Sequence, residues 1–198
     1  MIKNLVIILF LVSLGGDSKT SVETLYFDII HKDKVIGSLK ATKTIKDSTT
    51  FYKSSTTIET RIIKEIRVNY KYDVTFKNNL LETSNVDITV NEKPHAKTDT
   101  KKKGTDYKIV KNENEVEIVK DAISFATVQL YFKEPKNVDS CYSEQDGSFN
   151  TIKALGNHSY KKTNSKGREN IYYYKKGALK NATIDGGLIT FEIVTRKP

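Results

Sequence analysis

Hydrophobic and polar residues alternate along most of this chain, and a period of two predicts β-strands. In the clearest case the apolar face is formed by Ile66, Val68, Tyr70, Tyr72, Val74 and Phe76. The residues between them are polar or charged. Lys77-Asn78-Asn79 then predicts a turn, and alternation at Val86, Ile88 and Val90 predicts the returning strand. The pattern therefore predicts a long antiparallel hairpin.

Similar hairpins are predicted on both sides of this one. Their paired strands are 25–29 with 35–41, 107–111 with 115–118, 159–163 with 170–174, and 178–184 with 188–194. Short polar turns separate the strands, as in a meander, whereas βαβ units need longer helical crossovers. We therefore predict a mostly β protein built as a single antiparallel meander.

One segment, Asp121–Phe132, lacks this alternation. Its apolar residues Ile123, Ala126 and Leu130 recur at helical spacing, and Pro135 follows the segment. We predict one short helix that packs across the sheet.

The first 15 residues have the features of a secretory signal. Lys3 precedes the apolar run Leu5–Leu14, and Ser13 and Gly15 form a small-x-small cleavage site. The run is shorter than the roughly 20 residues that a transmembrane helix needs. We predict a signal peptide over residues 1–15, one β domain over 16–198 without a transmembrane span, and an exported protein, periplasmic or extracellular.

Composition and charge narrow the class further. Apolar residues make up 37% of the chain, but 11 Tyr and 8 Phe supply aromatic area for a core, which argues against disorder. The net charge of +9 comes from lysines spread along the chain, so nucleic acid is not an expected partner. A single cysteine excludes an intramolecular disulfide. We expect a monomer.

Candidate catalytic chemistry is confined to one short region. Cys141 is the candidate nucleophile, His158 a candidate base across a hairpin, and Glu144 a candidate acid–base group. The three histidines lack partners at metal-ligand spacing, so neither a metal site nor a cofactor is predicted. An inert buried cysteine is the simpler interpretation.

Aromatic residues on a curved sheet could instead enclose an apolar or glycan ligand. The candidate ligand-binding residues are Tyr131, Tyr142 and Tyr173. Packing of these rings in the core is the simpler alternative.

Several short motifs carry a family resemblance. They are Leu130-Tyr131-Phe132-Lys133-Glu134-Pro135, Tyr142-Ser143-Glu144, Gly147-Ser148-Phe149, Gly167-Arg168-Glu169-Asn170-Ile171-Tyr172-Tyr173-Tyr174 and Gly37-Ser38-Leu39-Lys40-Ala41. With them the chain resembles a family of exported bacterial proteins of unknown function, of Bacteroidetes type, related to spiral β-roll domains. The resemblance implies one antiparallel sheet curled into a spiral β-roll or open barrel, and it implies no activity or cofactor.

Three functions remain open at this point. The favoured one is a non-enzymatic envelope protein that binds a lipid-like or glycan ligand or a protein partner. The alternative is a small hydrolase or transferase that uses Cys141 and His158. The third is a structural component that docks another envelope protein through an exposed sheet edge.

Overall fold

The computed structural model describes residues 20–61, 65–186 and 189–196. Most of these residues belong to one antiparallel sheet. Its strands are β1 (Thr20–His31), β2 (Lys34–Lys46), β3 (Thr49–Arg61), β4 (Glu65–Lys77), β5 (Leu80–Val90), β6 (Lys93–Lys103), β7 (Asp106–Lys111), β8 (Glu115–Val119), β9 (Ser140–Ser143), β10 (Ser148–Gly156), β11 (Ser159–Thr163), β12 (Glu169–Lys175), β13 (Ala178–Asp185) and β14 (Thr190–Thr195). The predicted signal peptide lies outside the described residues. Within them, no helix has the length and apolar character needed to cross a bilayer.

The sheet consists of two meanders joined at one seam. Strands β1 to β8 are neighbours in chain order, as are β9 to β14, and β1 pairs with β14 between them. In this seam Phe27 pairs with Thr195 and Ile29 with Ile193. The antiparallel meander predicted from the alternation is confirmed.

The sheet is rolled but not closed. Its two terminal strands in the described residues are β8 and β9. The β9–β10 hairpin lies inside the roll, against the inner face of β6. There the Tyr142 and Thr100 hydroxyls are 2.7 Å apart, and the Thr98 hydroxyl donates to the Gln145 carbonyl at 2.8 Å. The expected curled sheet is therefore an open roll with one end inside.

The turns follow from local residue preferences. Asn78 and Asn79 adopt φ of 50° and 62°, the left-handed pair that a tight two-residue hairpin requires and that asparagine tolerates. The β4–β5 hairpin is thus confirmed, with its apolar face inward. Strand β5 ends at Val90, and Pro94 lies in the next strand, β6, beside a register shift at Ile88/Thr89. An irregular register is one of the places where a sheet accepts proline.

The predicted helix over Asp121–Phe132 is wrong in extent and type. Only Thr127–Tyr131 is helical, as a single 3₁₀ turn. The preceding backbone is held in place by neighbouring strands: the Leu81 amide donates to the Ile123 carbonyl, and the Tyr142 amide donates to the Phe125 carbonyl. These bonds to other strands replace those that an α-helix would make within itself.

The segment around this 3₁₀ turn fills the middle of the roll, and we call residues 121–135 the plug. Tyr131 packs on Phe27 with ring centroids 5.9 Å apart, and Phe132 packs on Tyr52 at 5.6 Å. Leu130 is fully buried. The plug thereby joins the two apolar clusters of the core. Burial of each such side chain stabilises the fold by about 1.5–3 kcal/mol.

Candidate functional site

A cavity of about 170 Å³ lies between the plug and the inner face of the sheet. Strands β2 to β4 line one side and β11 to β14 the other, while the β9–β10 hairpin and the 3₁₀ turn contribute the rest. A cavity of about 150 Å³ can hold one benzene molecule. This interior space therefore suits a ligand with a single six-membered ring.

Asn150 is the most unusual residue in the cavity wall. It lies on β10, opposite Cys141 of β9, and it is 2% exposed. Neither its Nδ2 donor nor its Oδ1 acceptor has a hydrogen-bond partner among the described residues. Leaving a buried polar group unpaired costs about 1–3 kcal/mol. At the wall of a cavity, this free donor and free acceptor could both form hydrogen bonds with a polar ligand.

Lys162 brings a buried positive charge to the same wall. It lies on β11, opposite Ile152 of β10, and it is 7% exposed. Its Nζ donates to the Thr127 hydroxyl at 3.2 Å, which uses one of three ammonium hydrogens. Within the described part of the chain, the other two have no hydrogen-bond acceptor. Lysine is rarely buried unless it is paired, and here the charge of the nearby Glu144 carboxylate partly offsets that of Lys162.

Glu144 supplies the opposite charge nearby. Its carboxylate is fully buried and accepts hydrogen bonds from the backbone amides of Thr127 at 3.1 Å and Val128 at 2.9 Å. Burial raises the pKa of Glu144, while these amides and the Lys162 charge oppose that rise. The carboxylate thus anchors the 3₁₀ turn and balances part of the Lys162 charge.

Four tyrosines contribute aromatic rings and phenol groups to the cavity wall. Tyr70, Tyr72, Tyr131 and Tyr172 all line the cavity. Burial raises the pKa of each of these phenols, so all four stay neutral and keep an O–H donor. Their ring faces are suitable for stacking against a flat or ring-shaped ligand.

Of the three predicted ligand-binding tyrosines, the structure brings one to the cavity. Tyr131 lines it. Tyr142 lies on the opposite face of β9, fully buried, and bonds to Thr100 of β6. Tyr173 is 38% exposed on the outer face of β12.

The predicted catalytic residues are not brought together as a set. Cys141 is fully buried, and burial raises the pKa of its thiol to about 12. His158 lies in the β10–β11 turn, where its Nδ1 is 2.8 Å from the Glu134 carboxylate. About 20 Å of β10 separates that turn from Asn150, the strand partner of Cys141. Of the three candidates, only Cys141 and Glu144 lie in the same part of the roll.

Glu134 forms a separate polar cluster at the end of the plug. Its side chain is 3% exposed and accepts hydrogen bonds from the Tyr160 hydroxyl and from His158, both at 2.8 Å, with Lys136 at 3.7 Å. Burial alone would raise the pKa of Glu134, but the His158 and Tyr160 bonds outweigh it and lower that pKa. This cluster fastens the plug to the β10–β11 turn.

The sequence prediction missed Asn150, Lys162 and Arg168, all of which line the cavity. A signal for one of them was present. Residues 159–163 were predicted as a strand, and alternation places Lys162 on the same face as Tyr160. A lysine on the apolar face of a strand indicates either a buried partner or a site.

The fold and the cavity define a class: a single rolled antiparallel sheet that encloses a polar, charged interior space. The sequence model of a family described as Domain of unknown function (DUF6134) matches residues 27–196. The chain therefore belongs to the DUF6134 family.

A solved structure with a similar fold is described as a beta-barrel-like protein of the domain of unknown function DUF1849 from Brucella abortus. The TM-score is 0.50 and the sequence identity 9%, over 88% of this chain and 95% of that one. This likeness concerns the fold alone. No curated protein matches the chain. Within the described residues, no group of three His, Cys, Asp or Glu side chains could hold a metal ion.

Proposed function

We propose that this chain is an exported cell-envelope protein whose β-roll binds a small, polar, ring-sized ligand in its interior cavity, without catalysing a reaction. The observation that carries the proposal is Asn150, which is 2% exposed with both amide functions unpaired at the cavity wall. A bound ligand with a hydroxyl group could satisfy the donor and the acceptor together.

The character of the wall favours a glycan-type ligand over a lipid chain. An alkyl chain would leave the Asn150 amide and the Lys162 ammonium buried against apolar atoms, and unpaired polar groups in that setting are costly. A sugar presents hydroxyl groups around a ring, which suits the mixture of amide, ammonium and phenol groups in this wall.

Binding is also better supported than catalysis through Cys141. A cysteine nucleophile needs a thiolate and a base within hydrogen-bond reach. The Cys141 thiol has a pKa of about 12, and His158 is bonded to Glu134 instead. The contacts of Cys141, to the Thr127 hydroxyl at 3.8 Å and the Tyr142 carbonyl at 3.7 Å, are those of a packed core residue.

Native mass spectrometry of the protein purified from its own host tests this proposal. We expect a small-molecule adduct on the wild-type protein and its loss in Asn150→Leu, which has similar volume but no amide. Ser84→Ala is the matched control, because the Ser84 hydroxyl is also buried and unpaired but lies outside the cavity wall. A bare mass for the wild type, or an adduct that survives in Asn150→Leu, would contradict the proposal.

Export is the part of the proposal that rests on sequence alone, on Lys3, the apolar run Leu5–Leu14 and the Ser13-x-Gly15 site. Cell fractionation with N-terminal sequencing of the mature protein tests it. A mature chain that begins near residue 16 outside the cytoplasm is expected, and an uncleaved cytoplasmic chain would contradict it.

A further inference from the structure

We infer that one edge of the sheet docks, through its outer face, onto an anionic phospholipid bilayer. This surface, which we call the edge patch, combines unpaired lysines with exposed aliphatic side chains on strands β6 to β8. Its members are Lys101, Lys103, Lys108, Val110, Val116 and Ile118. None of them lines the cavity, so the edge patch is separate from the proposed ligand site.

Strand register brings the centre of the edge patch together on the outer face of the roll. Tyr107 and Ile109 of β7 are buried inside the roll, so by alternation Lys108 between them points outwards. Lys101 of β6 and Ile118 of β8 are the direct cross-strand partners of Lys108 and share its face. Because neighbouring strands lie about 4.8 Å apart, these three residues form one row about 10 Å long.

The lysines of the edge patch carry positive charge that the protein does not balance. Lys101, Lys103 and Lys108 are exposed, and none of them forms an ion pair or a side-chain hydrogen bond with another described residue. Of the outward carboxylates on β6 and β7, Asp99 is already in an ion pair with Lys97 at 3.7 Å. Asp106 alone is left against the three lysines. Like charges at directly opposed positions destabilise a sheet, so the pairing of Lys101 with Lys108 favours a role in binding anions.

Exposed aliphatic side chains extend the edge patch onto the terminal strand β8. Val116 and Ile118 are each 56% exposed, and Val110 is the direct partner of Val116. Glu115 and Glu117 alternate with them and therefore lie on the other face of β8. Lysines that only protect a sheet edge from other chains are expected on the edge strand itself. Here they lie on the two strands behind it, and the outer face of the edge strand is apolar.

This combination fits a lipid bilayer better than a dissolved anion. Ammonium groups bind phosphate headgroups as point charges, and aliphatic side chains enter the boundary between headgroups and acyl chains. A free phosphate or an anionic polysaccharide would bind the lysines but would leave Val116 and Ile118 in water. A bilayer with anionic headgroups uses both parts of the edge patch.

Flotation of the purified protein with unilamellar vesicles tests the inference. One set of vesicles contains phosphatidylcholine alone, and the other contains phosphatidylcholine and phosphatidylglycerol in equal amounts. We expect binding to the anionic vesicles to be at least about tenfold tighter than to the neutral ones, because each lysine near an anionic surface strengthens binding about fivefold. Absence of binding to the anionic vesicles, or equal binding to both sets, would overturn the inference.

A pair of lysine variants assigns the binding to the edge patch. Lys108→Gln should weaken binding to the anionic vesicles about fivefold. Lys180→Gln is the matched control, because Lys180 is also exposed but lies on β13 in the other meander. It should bind as the wild type does. Equal weakening in both variants would show an effect of net charge alone and would overturn the assignment.

Replacement of an aliphatic residue shows whether the bilayer itself is contacted. Ile118→Ser should weaken binding to the anionic vesicles by about fivefold, since less apolar area leaves water. Val35→Ser is the control, because Val35 is 64% exposed but lies on β2, outside the edge patch. Unchanged binding of Ile118→Ser would mean that the lysines bind phosphate groups without insertion of β8, and it would overturn docking onto a bilayer. All four positions are exposed, so the variants should fold, and thermal unfolding checks this.

Discussion

At the scale of single residues, the inner surface of the roll combines apolar packing with polar side chains that are not fully paired. Asn150 and Lys162 are both more than nine-tenths buried, and both retain hydrogen-bonding capacity. Such groups lower the stability of the free protein, so their presence favours a role in binding.

Replacement of Asn150 separates stability from binding. Asn150→Leu removes an unpaired buried amide while keeping a similar volume, so we expect the free energy of unfolding to rise by about 1 kcal/mol. Urea denaturation of the ligand-free protein measures this. A loss of 2 kcal/mol or more would mean that the amide supports the fold, contrary to our interpretation.

The buried thiol gives a second test at this scale. The Cys141 thiol is fully buried with a pKa of about 12, so it should not react with iodoacetamide in the folded protein at pH 8 and should react after unfolding in urea. Mass spectrometry follows the alkylation. Rapid alkylation of the native chain would revive the hypothesis that Cys141 is a nucleophile.

Glu134 should make stability depend on acid pH. Its pKa is lower in the folded protein than its usual value of 4.5, so the ionised carboxylate stabilises the fold above that usual pKa. This contribution is lost as the pH falls through the lowered, folded-state pKa. Glu144, whose pKa is raised, acts in the opposite sense: its contribution is present at low pH and is lost as the pH rises towards its folded-state pKa.

We therefore expect Glu134→Gln to lose less stability than the wild type when the pH is lowered from 5 to 3. Denaturant unfolding at several pH values measures this. Glu169→Gln is the control, because the Glu169 carboxylate is 49% exposed in its ion pair with Lys161. Its profile should match that of the wild type, and identical profiles for all three proteins would contradict the role given to Glu134.

At the scale of elements, the β9–β10 hairpin and the plug build the cavity. The hairpin presents Cys141 and Asn150 to one side and Tyr142 and Phe149 to the other, with the latter two rings 5.6 Å apart. Its turn contains Gly147 at φ +63°, a conformation that favours glycine. Because Gly147 has no side chain, this end of the turn can pack closely against Ile109 and Lys111 of β7.

Gly147→Ala tests how tightly the hairpin is held. A Cβ at this position would lie 2.7 Å from Ile109 Cγ2, in addition to the cost of the positive φ. Gly104→Ala is the matched control, with φ +64° and no atom within 4 Å of a Cβ. We expect thermal unfolding to show a loss of about 1–3 kcal/mol for Gly147→Ala and a smaller loss for Gly104→Ala. Equal losses would mean that backbone strain alone accounts for both.

Sequence patterns predicted the elements unevenly, for physical reasons. Strands such as β4 carry apolar residues on one face, so alternation located them. Strand β6 was missed because its inner face carries Thr98 and Thr100, which are buried through hydrogen bonds to the β9–β10 hairpin. The plug was predicted as a helix because its apolar residues recur at helical spacing. The prediction failed because hydrogen bonds from Leu81 and Tyr142, which are distant in sequence, hold its first part outside a helix.

At the scale of the whole molecule, the roll is open, because among the described residues β8 and β9 do not pair with each other, and the β9–β10 hairpin packs inside it. Each meander could be predicted from local turns, but the β1–β14 seam and the inward position of the β9–β10 hairpin depend on contacts between distant residues. For the same reason the cavity could not be predicted. Asn150, Lys162 and Arg168 are unremarkable polar residues until the sheet rolls and brings them to one wall.

On our proposal, this wall binds a polar ligand through Asn150. A high-resolution crystal structure of the protein purified from its own host tests it most directly. We expect connected electron density for a ring-sized molecule, with polar atoms about 2.7–3.2 Å from both Asn150 Nδ2 and Oδ1. A cavity that contains separate water molecules alone, or an Asn150 amide fully bonded to the protein itself, would contradict the claim.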